Sequence, residues 1–374
     1  MVSLSFSDVY SETEPNAAFN KFHDWLCLLY KLCFPYKKVK LSTKSHLNWI
    51  SKGIRNSCAK NRVLRKIYYR RKTPQNKHKY KTYSKLLKKC ILCSKKTTNK
   101  KYVLNSKNTC KATWKVIQDE IDTKPQYNNH IDFIEYDNEV ITFPTQIANT
   151  FNNFFIELTN KDIQDNISNN KSNQILNNSI YLSPTDEYDI NKVIMTLNNS
   201  KSEGFDGICT KVIKACNKEI GRVLAFLINL SMVSGIFPDK LKFSLIKPLF
   251  KKDKKSILDN YRPIALVPIL SKVYEKIMHT KLTSFFDKYH VLNHSQYGFQ
   301  RGKSTAHAVF DMVKETLTCL NDNNYTTALF FDMSKAFDFV SHSLLLEKLE
   351  KCGIRGTALN WIKTYLQIDD NLLK

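Results

Sequence analysis

The sequence predicts an α+β fold that is preceded by a basic, mostly helical region. Apolar residues recur at helical spacing in several segments, among them residues 219–234 and 271–289. Residues 243–268 contain two short apolar runs on either side of a hydrophilic stretch, which predicts a β-hairpin. A further run at 325–331 is aromatic and β-branched and predicts a buried strand. Long helices with a few strands that do not alternate regularly with them favour the α+β class.

The positive charge of the chain is concentrated in one segment. The chain has 58 Lys and Arg, 34 Asp and Glu, and a formal net charge of +24. Between Lys37 and Gln118 there are 26 basic residues and no acidic one. A block of this size predicts a polyanionic partner, and the alternative is a solvated basic tail. Trp49 and Tyr68 lie in this block at helical spacing, which is more typical of packing than of base stacking.

Composition divides the chain into three predicted parts. Residues 1–124 are predicted to be a basic helical connector, residues 125–182 an Asn-rich linker, and residues 183–374 an ordered domain. The N-terminus has no apolar signal segment, and the longest apolar run, 223–233, is about half the length that crosses a bilayer. The ten cysteines include a single Cys-x-x-Cys, which predicts free thiols. We therefore expect an intracellular protein without a membrane partner; the sequence does not distinguish nucleus from cytoplasm.

A carboxylate follows the predicted strand at 325–331. The string is Phe330-Phe331-Asp332-Met333-Ser334-Lys335-Ala336-Phe337-Asp338. A carboxylate at the end of a buried strand normally faces a metal, a cation or a hydrogen-bond network, because an unpaired buried charge is costly. The alternative is that Asp332 or Ser334 caps the helix that follows.

The same string resembles the first catalytic box of reverse transcriptases of non-LTR (LINE-type, jockey-like) retrotransposons. In that family a strand ends in Phe-x-Asp and continues into Ser-Lys-Ala-Phe-Asp. Two more strings resemble boxes of its fingers subdomain: Lys251-Lys252-Asp253 with Asn260-Tyr261-Arg262-Pro263-Ile264, and Gln296-Tyr297-Gly298-Phe299-Gln300-Arg301 with Ser304-Thr305. The resemblance implies a right-hand polymerase fold, of which residues 183–374 supply the fingers and the first part of the palm.

The resemblance also implies a role for each matching residue. It makes Asp332 the catalytic residue and a ligand of two Mg²⁺ ions. It implies that RNA template, DNA primer and dNTP are the partners. The remaining roles are nucleotide binding by Lys251, Arg262 and Phe337, with Phe337 under the sugar, and template binding by Gln296, Gly298, Phe299 and Arg301. For the lysines of the hairpin tip the alternative is a solvated β-turn.

Two later boxes of the family do not occur in the sequence. A working polymerase of this kind also has a Gln-Gly box and an aromatic-Ala-Asp-Asp hairpin, and Asp369-Asp370 is preceded by Ile368 rather than by alanine. We therefore expect a reverse transcriptase fragment that is truncated inside the palm and is catalytically incomplete by itself. The alternatives are a sequence-tolerant nucleic-acid-binding protein that uses residues 37–118, and a remnant with no folded role.

Overall fold

The structure, a computed structural model, describes residues 6–35, 37–38, 49–106, 108–120, 131–137, 139–160, 175–199, 203–333, 336–337 and 340–367. The chain divides into two compact units. The basic helical unit is Tyr36–Ile131, and the mixed unit combines Met1–Pro35 with Asp132–Lys374.

The described elements are mainly helices, with two short hairpins. In chain order they are α1 (Ser7–Tyr10), α2 (Pro15–Cys33), α3 (Lys52–Arg70), α4 (Pro74–Leu104), α5 (Thr109–Glu120), β1 (Ile134–Tyr136), β2 (Glu139–Ile141), α6 (Pro144–Asn160), α7 (Glu187–Thr196), α8 (Thr210–Ala215), α9 (Asn217–Ser234), β3 (Leu245–Phe250), β4 (Tyr261–Leu266), α10 (Ile269–Lys288), α11 (Thr305–Asn321), α12 (His342–Lys351) and α13 (Thr357–Leu366). Strands β1 and β2 pair antiparallel, and so do β3 and β4. This mixture of helices with few strands agrees with the predicted α+β class.

The basic helical unit is built on the packing of α3 against α4. Each helix begins at a capping hydroxyl: Ser51 Oγ accepts from the Ile54 amide at 3.2 Å, and Thr73 Oγ1 accepts from the Asn76 amide at 3.3 Å. Between the helices the rings of Tyr68 and Tyr80 stack with centroids 6.1 Å apart. Tyr68 is thus used in packing, as its spacing predicts.

The core of the mixed unit surrounds α9. This helix buries residues on most of its circumference, including Val223, Leu224 and Leu227, and it contacts α2, α7 and α13. Its C-terminus is the residue before Gly235, which adopts the left-handed conformation (φ 67°) that ends many helices. The buried indole of Trp361 donates to Ser231 Oγ at 2.9 Å and so fixes α13 against α9. The predicted helix at 219–234 is confirmed.

Helix α2 belongs to this core rather than to the basic helical unit. Phe19 and Phe22 are fully buried in it, and Phe19 packs edge-on against Tyr274. His23 Nε2 lies 3.7 Å from the buried carboxylate of Asp206, far away in the sequence. The structure thus groups residues 6–33 with the C-terminal part of the chain, whereas the predicted connector at 1–124 places them with the basic residues.

The segment predicted to be an Asn-rich linker, 125–182, contains regular structure. It includes β1, β2 and α6, whose residues Ile134 and Phe151 are buried. The amide of Leu176 donates to the carbonyl of Lys351, and the amide of Ile180 to the carbonyl of Gly353, both at 2.9 Å. The most polar part of the predicted linker, 161–174, lies outside the described residues, whereas apolar residues on either side of it pack.

The predicted buried strand at 325–331 is wrong in this structure. Residues 323–333 are described without strand pairing, and the side chains of Leu329, Phe330 and Phe331 are 77%, 81% and 88% exposed. An apolar, β-branched composition specifies a strand only where a partner strand satisfies its backbone groups, and the strands in the described ranges pair within their own hairpins.

Over the described ranges, no helix combines the length and the apolar character that a membrane crossing requires.

Candidate functional site

The β3–β4 hairpin presents three cations on one face. Leu249 lies directly opposite Arg262, and the amide of Lys251 donates to the carbonyl of Asn260 at 2.8 Å. Side chains alternate along a strand and paired residues share a face. Lys247 and Lys251, two positions on either side of Leu249, therefore share the face of Arg262, and all three cations are exposed.

The opposite face of the hairpin is packed against α6 at the end near the tip. The rings of Phe250 and Tyr261 lie 5.5 Å apart, and Tyr261 packs edge-on against Phe151 of α6 at 5.0 Å. Tyr261 is 7% exposed, and this burial raises the pKa of its phenol. One face of the hairpin is thus anchored, which leaves the cationic face directed to solvent.

The tip of the hairpin is folded back rather than extended. The Tyr261 hydroxyl donates to the carbonyl of Lys255 at 2.8 Å, and the Asn260 side chain donates to the carbonyl of Lys254 at 2.9 Å. Leu258 is buried beneath the tip, and the amide of Glu135 in β1 donates to the carbonyl of Ser256 at 2.8 Å. The backbone of the tip is thus ordered by hydrogen bonds, while the side chains of its lysines are exposed, so the alternative of a solvated β-turn stays open.

The segment 293–304 is a loop organised by Lys303. The Lys303 ammonium donates to the carbonyls of His294 and Gln296 and lies 5.2 Å from the centre of the Tyr297 ring. The Tyr297 hydroxyl donates to Asp311 of α11 at 2.5 Å, and this hydrogen bond raises the pKa of the phenol. These contacts hold the loop against the start of α11.

Phe299 combines an exposed ring with a constrained backbone. Its backbone has a positive φ of 59°, which a residue with a large side chain rarely adopts, and its ring is 92% exposed. Backbone strain of this kind concentrates at functional sites. The other predicted template residues, Gln296, Gly298 and Arg301, are exposed on the same loop.

The structure brings the Phe299 loop and the Asp332 segment together at one aromatic contact. The rings of Phe299 and Phe337 pack edge to face, with centroids 6.0 Å apart and planes at 88°. Asp332 and Phe337 are both exposed. The sequence places Asp332 at the end of a buried strand, whereas in the structure its side chain follows an exposed segment and is itself exposed.

The described residues do not by themselves provide a site for two Mg²⁺ ions. Such ions are bound mainly by several oxygen ligands, among them carboxylates. Across the described ranges, the structure contains no group of three or more His, Cys, Asp or Glu side chains placed to bind a metal. Asp332 can supply one carboxylate oxygen, and Asp369 and Asp370 lie outside the described residues.

Sequence reasoning missed three residues that shape this site. Lys247 shares the face of Lys251 and Arg262, and the two-residue periodicity of β3 was the available signal. Lys303 and Asp311 act by holding the loop, through contacts that are not encoded in a local pattern.

Comparison with known proteins identifies the part of the chain that contains this site. Residues 250–374 match the family described as reverse transcriptase (RNA-dependent DNA polymerase). All the predicted site residues, from Lys251 to Phe337, lie inside that match.

Three relatives come from Drosophila melanogaster. The probable RNA-directed DNA polymerase from transposon BS is 32% identical over 46% of this chain, and that from transposon X-element is 28% identical over 52%. The RNA-directed DNA polymerase from mobile element jockey is 27% identical over 46%. The matched regions cover 19%, 22% and 19% of these three proteins, so the chain spans about a fifth of their length. The predicted resemblance to polymerases of non-LTR retrotransposons is confirmed, because residues 250–374 match the reverse transcriptase family and these relatives are polymerases of such elements.

Proposed function

We propose that residues 183–374 form the fingers and the first palm segment of a right-hand polymerase that copies RNA into DNA for a non-LTR retrotransposon. The observation that carries this proposal is the cationic face of the β3–β4 hairpin. The hairpin is held in place by the contact of Tyr261 with α6, and its residues Lys251 and Arg262 lie within the family match. The relatives named as RNA-directed DNA polymerases support the choice of reaction.

In this proposal Lys251 and Arg262 bind the triphosphate of the incoming dNTP. A guanidinium offers a planar fork for two phosphate oxygens, and an ammonium offers a compact point charge. Both side chains are exposed on one face, so they can reach a single ligand without a rearrangement of the hairpin. Lys247 extends the same face and would contact the template or the same nucleotide.

The Phe299 loop is proposed to hold the RNA template. Phe299 offers an exposed ring on which a base can stack, and Arg301 offers a charge for the backbone of the strand. Stacking on an aromatic ring contributes about 1–3 kcal/mol per base. Binding of this kind would compensate for the strained backbone of Phe299.

Phe337 and Asp332 complete the proposed site on the palm side. Phe337 lies against Phe299 and would pack on the deoxyribose, where its ring leaves no room for a 2′-hydroxyl. Asp332 would bind Mg²⁺, which neutralises the nucleotide phosphates in two-metal polymerases.

A crosslinking experiment tests the template role. An RNA strand that carries 5-iodouridine at single positions is bound to the protein, irradiated, and the crosslinked peptide is identified by mass spectrometry. We expect a crosslink at Phe299 that is lost in Phe299→Leu. The crosslink should be retained in Phe205→Leu, a control substitution at a phenylalanine that is 40% exposed. Crosslinks that are confined to residues 37–118 would contradict the proposal.

A second candidate function is sequence-tolerant nucleic-acid binding by the basic helical unit. The observation that favours this function is the pairing of cations with aromatic rings. Lys60 lies 5.5 Å from the ring centre of Tyr83, and Arg65 lies 5.6 Å from the ring centre of Tyr69. Tyr69 and Trp114 are 58% and 60% exposed, so they can also stack on bases.

Salt dependence separates this function from the first. Affinity for a mixed-sequence oligonucleotide should fall with salt, with a log–log slope of about −0.7 per phosphate contact for a single strand and about −0.9 for a duplex. A variant without residues 37–118 should lose most of this binding and should retain the Phe299 crosslink. Equal affinity of the whole protein and this variant for the oligonucleotide would contradict the second function.

A further inference from the structure

A groove between α7 and α10 has no role in the proposed polymerase site. It has a volume of about 250 Å³, and its lining consists of Thr185, Asp189, Lys192, Lys276 and Lys281 together with two apolar residues and two threonines of the same helices. None of these residues lies on the β3–β4 hairpin, in the Phe299 loop or in the basic helical unit.

The groove is positively charged. It has three lysines and one aspartate, a formal excess of two positive charges. Lys281 Nζ donates to the carbonyl of Ser183 at 2.6 Å and to its hydroxyl at 3.2 Å, so the ammonium is held in place and has one more donor to offer. Burial lowers the pKa of Lys281, although the nearby Asp189 opposes this effect.

Thr185, a residue of the groove lining, carries a buried hydroxyl without a partner among the described residues. Thr185 is 3% exposed, and its backbone is fixed by the side chain of Asn229, which accepts from its amide and donates to its carbonyl, both at 2.8 Å. Its Oγ1 has no hydrogen-bond partner among the described residues. A buried hydroxyl without a partner is unfavourable, and a ligand that accepts its proton removes this cost.

We propose that this groove binds a phosphate group. A phosphate has oxygens that point in several directions, which matches ammonium groups from two helices and a hydroxyl from the loop before α7. A volume of about 250 Å³ leaves room for one phosphate and part of its hydration. The phosphate can be inorganic phosphate or part of a nucleic-acid backbone.

Equilibrium dialysis of the 374-residue protein against radiolabelled orthophosphate, at constant ionic strength, tests the proposal. We expect saturable binding that is about tenfold weaker or more in Thr185→Val, since a hydrogen bond to a charged group is lost. The melting temperature of Thr185→Val without phosphate should stay equal or rise, because the substitution removes an unpaired buried hydroxyl.

A pair of matched variants keeps the test independent of folding. Lys192→Gln with Lys276→Gln removes two exposed charges from the groove, and Lys211→Gln with Lys218→Gln removes two exposed charges from α8 and α9. The groove pair should lose orthophosphate binding, and the control pair should retain it. The proposal is overturned if both pairs behave alike or if Thr185→Val binds like wild type.

An oligouridylate then identifies the source of the phosphate. If the groove pair binds the oligonucleotide more weakly than the control pair does, the ligand is a phosphate of the strand. If only orthophosphate binding changes, the ligand is a free phosphate.

Discussion

Replacing Gly353 by alanine should destabilise the mixed unit much more than the same replacement at Gly207. Gly353 has φ 91°, and an added Cβ would lie 2.3 Å from the carbonyl oxygen of Asn178 and 2.9 Å from Phe285. Gly207 has φ 69°, and an added Cβ meets no atom within 4 Å. Both substitutions carry the backbone cost of a left-handed residue, and only one also forces atoms apart.

The structure gives the expected magnitude of each change. A side chain at positive φ costs about 1–2 kcal/mol. Overpacking in a well-packed region adds about 1–3 kcal/mol. We therefore expect a loss of about 1–2 kcal/mol in the free energy of unfolding for Gly207→Ala and of about 2–5 kcal/mol for Gly353→Ala.

Urea unfolding followed by fluorescence measures the difference. Trp361 is buried in the mixed unit, and it becomes the only reporter when Trp25, Trp49 and Trp114 are replaced by phenylalanine. Hydrogen exchange at the Ile180 amide, which donates to the Gly353 carbonyl, should also accelerate in Gly353→Ala. Equal destabilisation by the two alanines would refute the docking of residues 176–180 onto the end of α12.

Three further predictions concern charge, sugar choice and exposure. Burial opposes protonation of His23, but the Asp206 carboxylate and the Cys27 sulfur raise its pKa from 6.5 to about 9. The stability that this pair adds is complete below pH 6.5 and is lost as the pH rises through about 9, so the melting temperature should fall over that range. The fall should flatten in Asp206→Asn; an identical profile would contradict the pairing. With a primer–template bound, Phe337→Val should leave dNTP affinity nearly unchanged and raise rNTP affinity several-fold; an unchanged ratio would mean that the ring does not contact the sugar. Limited chymotrypsin should cleave first after Phe330 or Phe331, which are exposed; resistance of these bonds in mass spectra would show that the segment is covered.

The sequence predicted a structural element correctly where the interactions that form the element lie within the same segment of the chain. Residues 219–234 form a helix and residues 243–268 form a hairpin because periodicity and turn residues act within the segment itself. The predicted strand at 325–331 needed a partner strand, which its own composition cannot specify. The pairing of His23 with Asp206 depends on tertiary packing in the same way.

In the candidate site, too, the identities of the residues could be predicted from local sequence, but their arrangement in space could not. The identities of Lys251, Arg262 and Phe299 were available from short strings; all three lie within the family match, and their roles stay predictions. The cationic face became visible only with the register of β3 and β4. The strained backbone of Phe299 and its contact with Phe337 depend on the path of two loops, for which the sequence has no periodic signal.

The affinity of the protein for dNTP in the presence of a primer–template and Mg²⁺ tests the central claim most directly. The variant Lys251→Gln with Arg262→Gln removes two cations from the hairpin face, and Lys211→Gln with Arg222→Gln removes two exposed cations from helices of the same unit. Each lost hydrogen bond to a charged phosphate costs about 1.5–3 kcal/mol, which predicts at least about a hundredfold loss in the hairpin variant. The control variant should bind dNTP like wild type. Equal dNTP affinity in the two variants would contradict the assignment of the hairpin to the nucleotide.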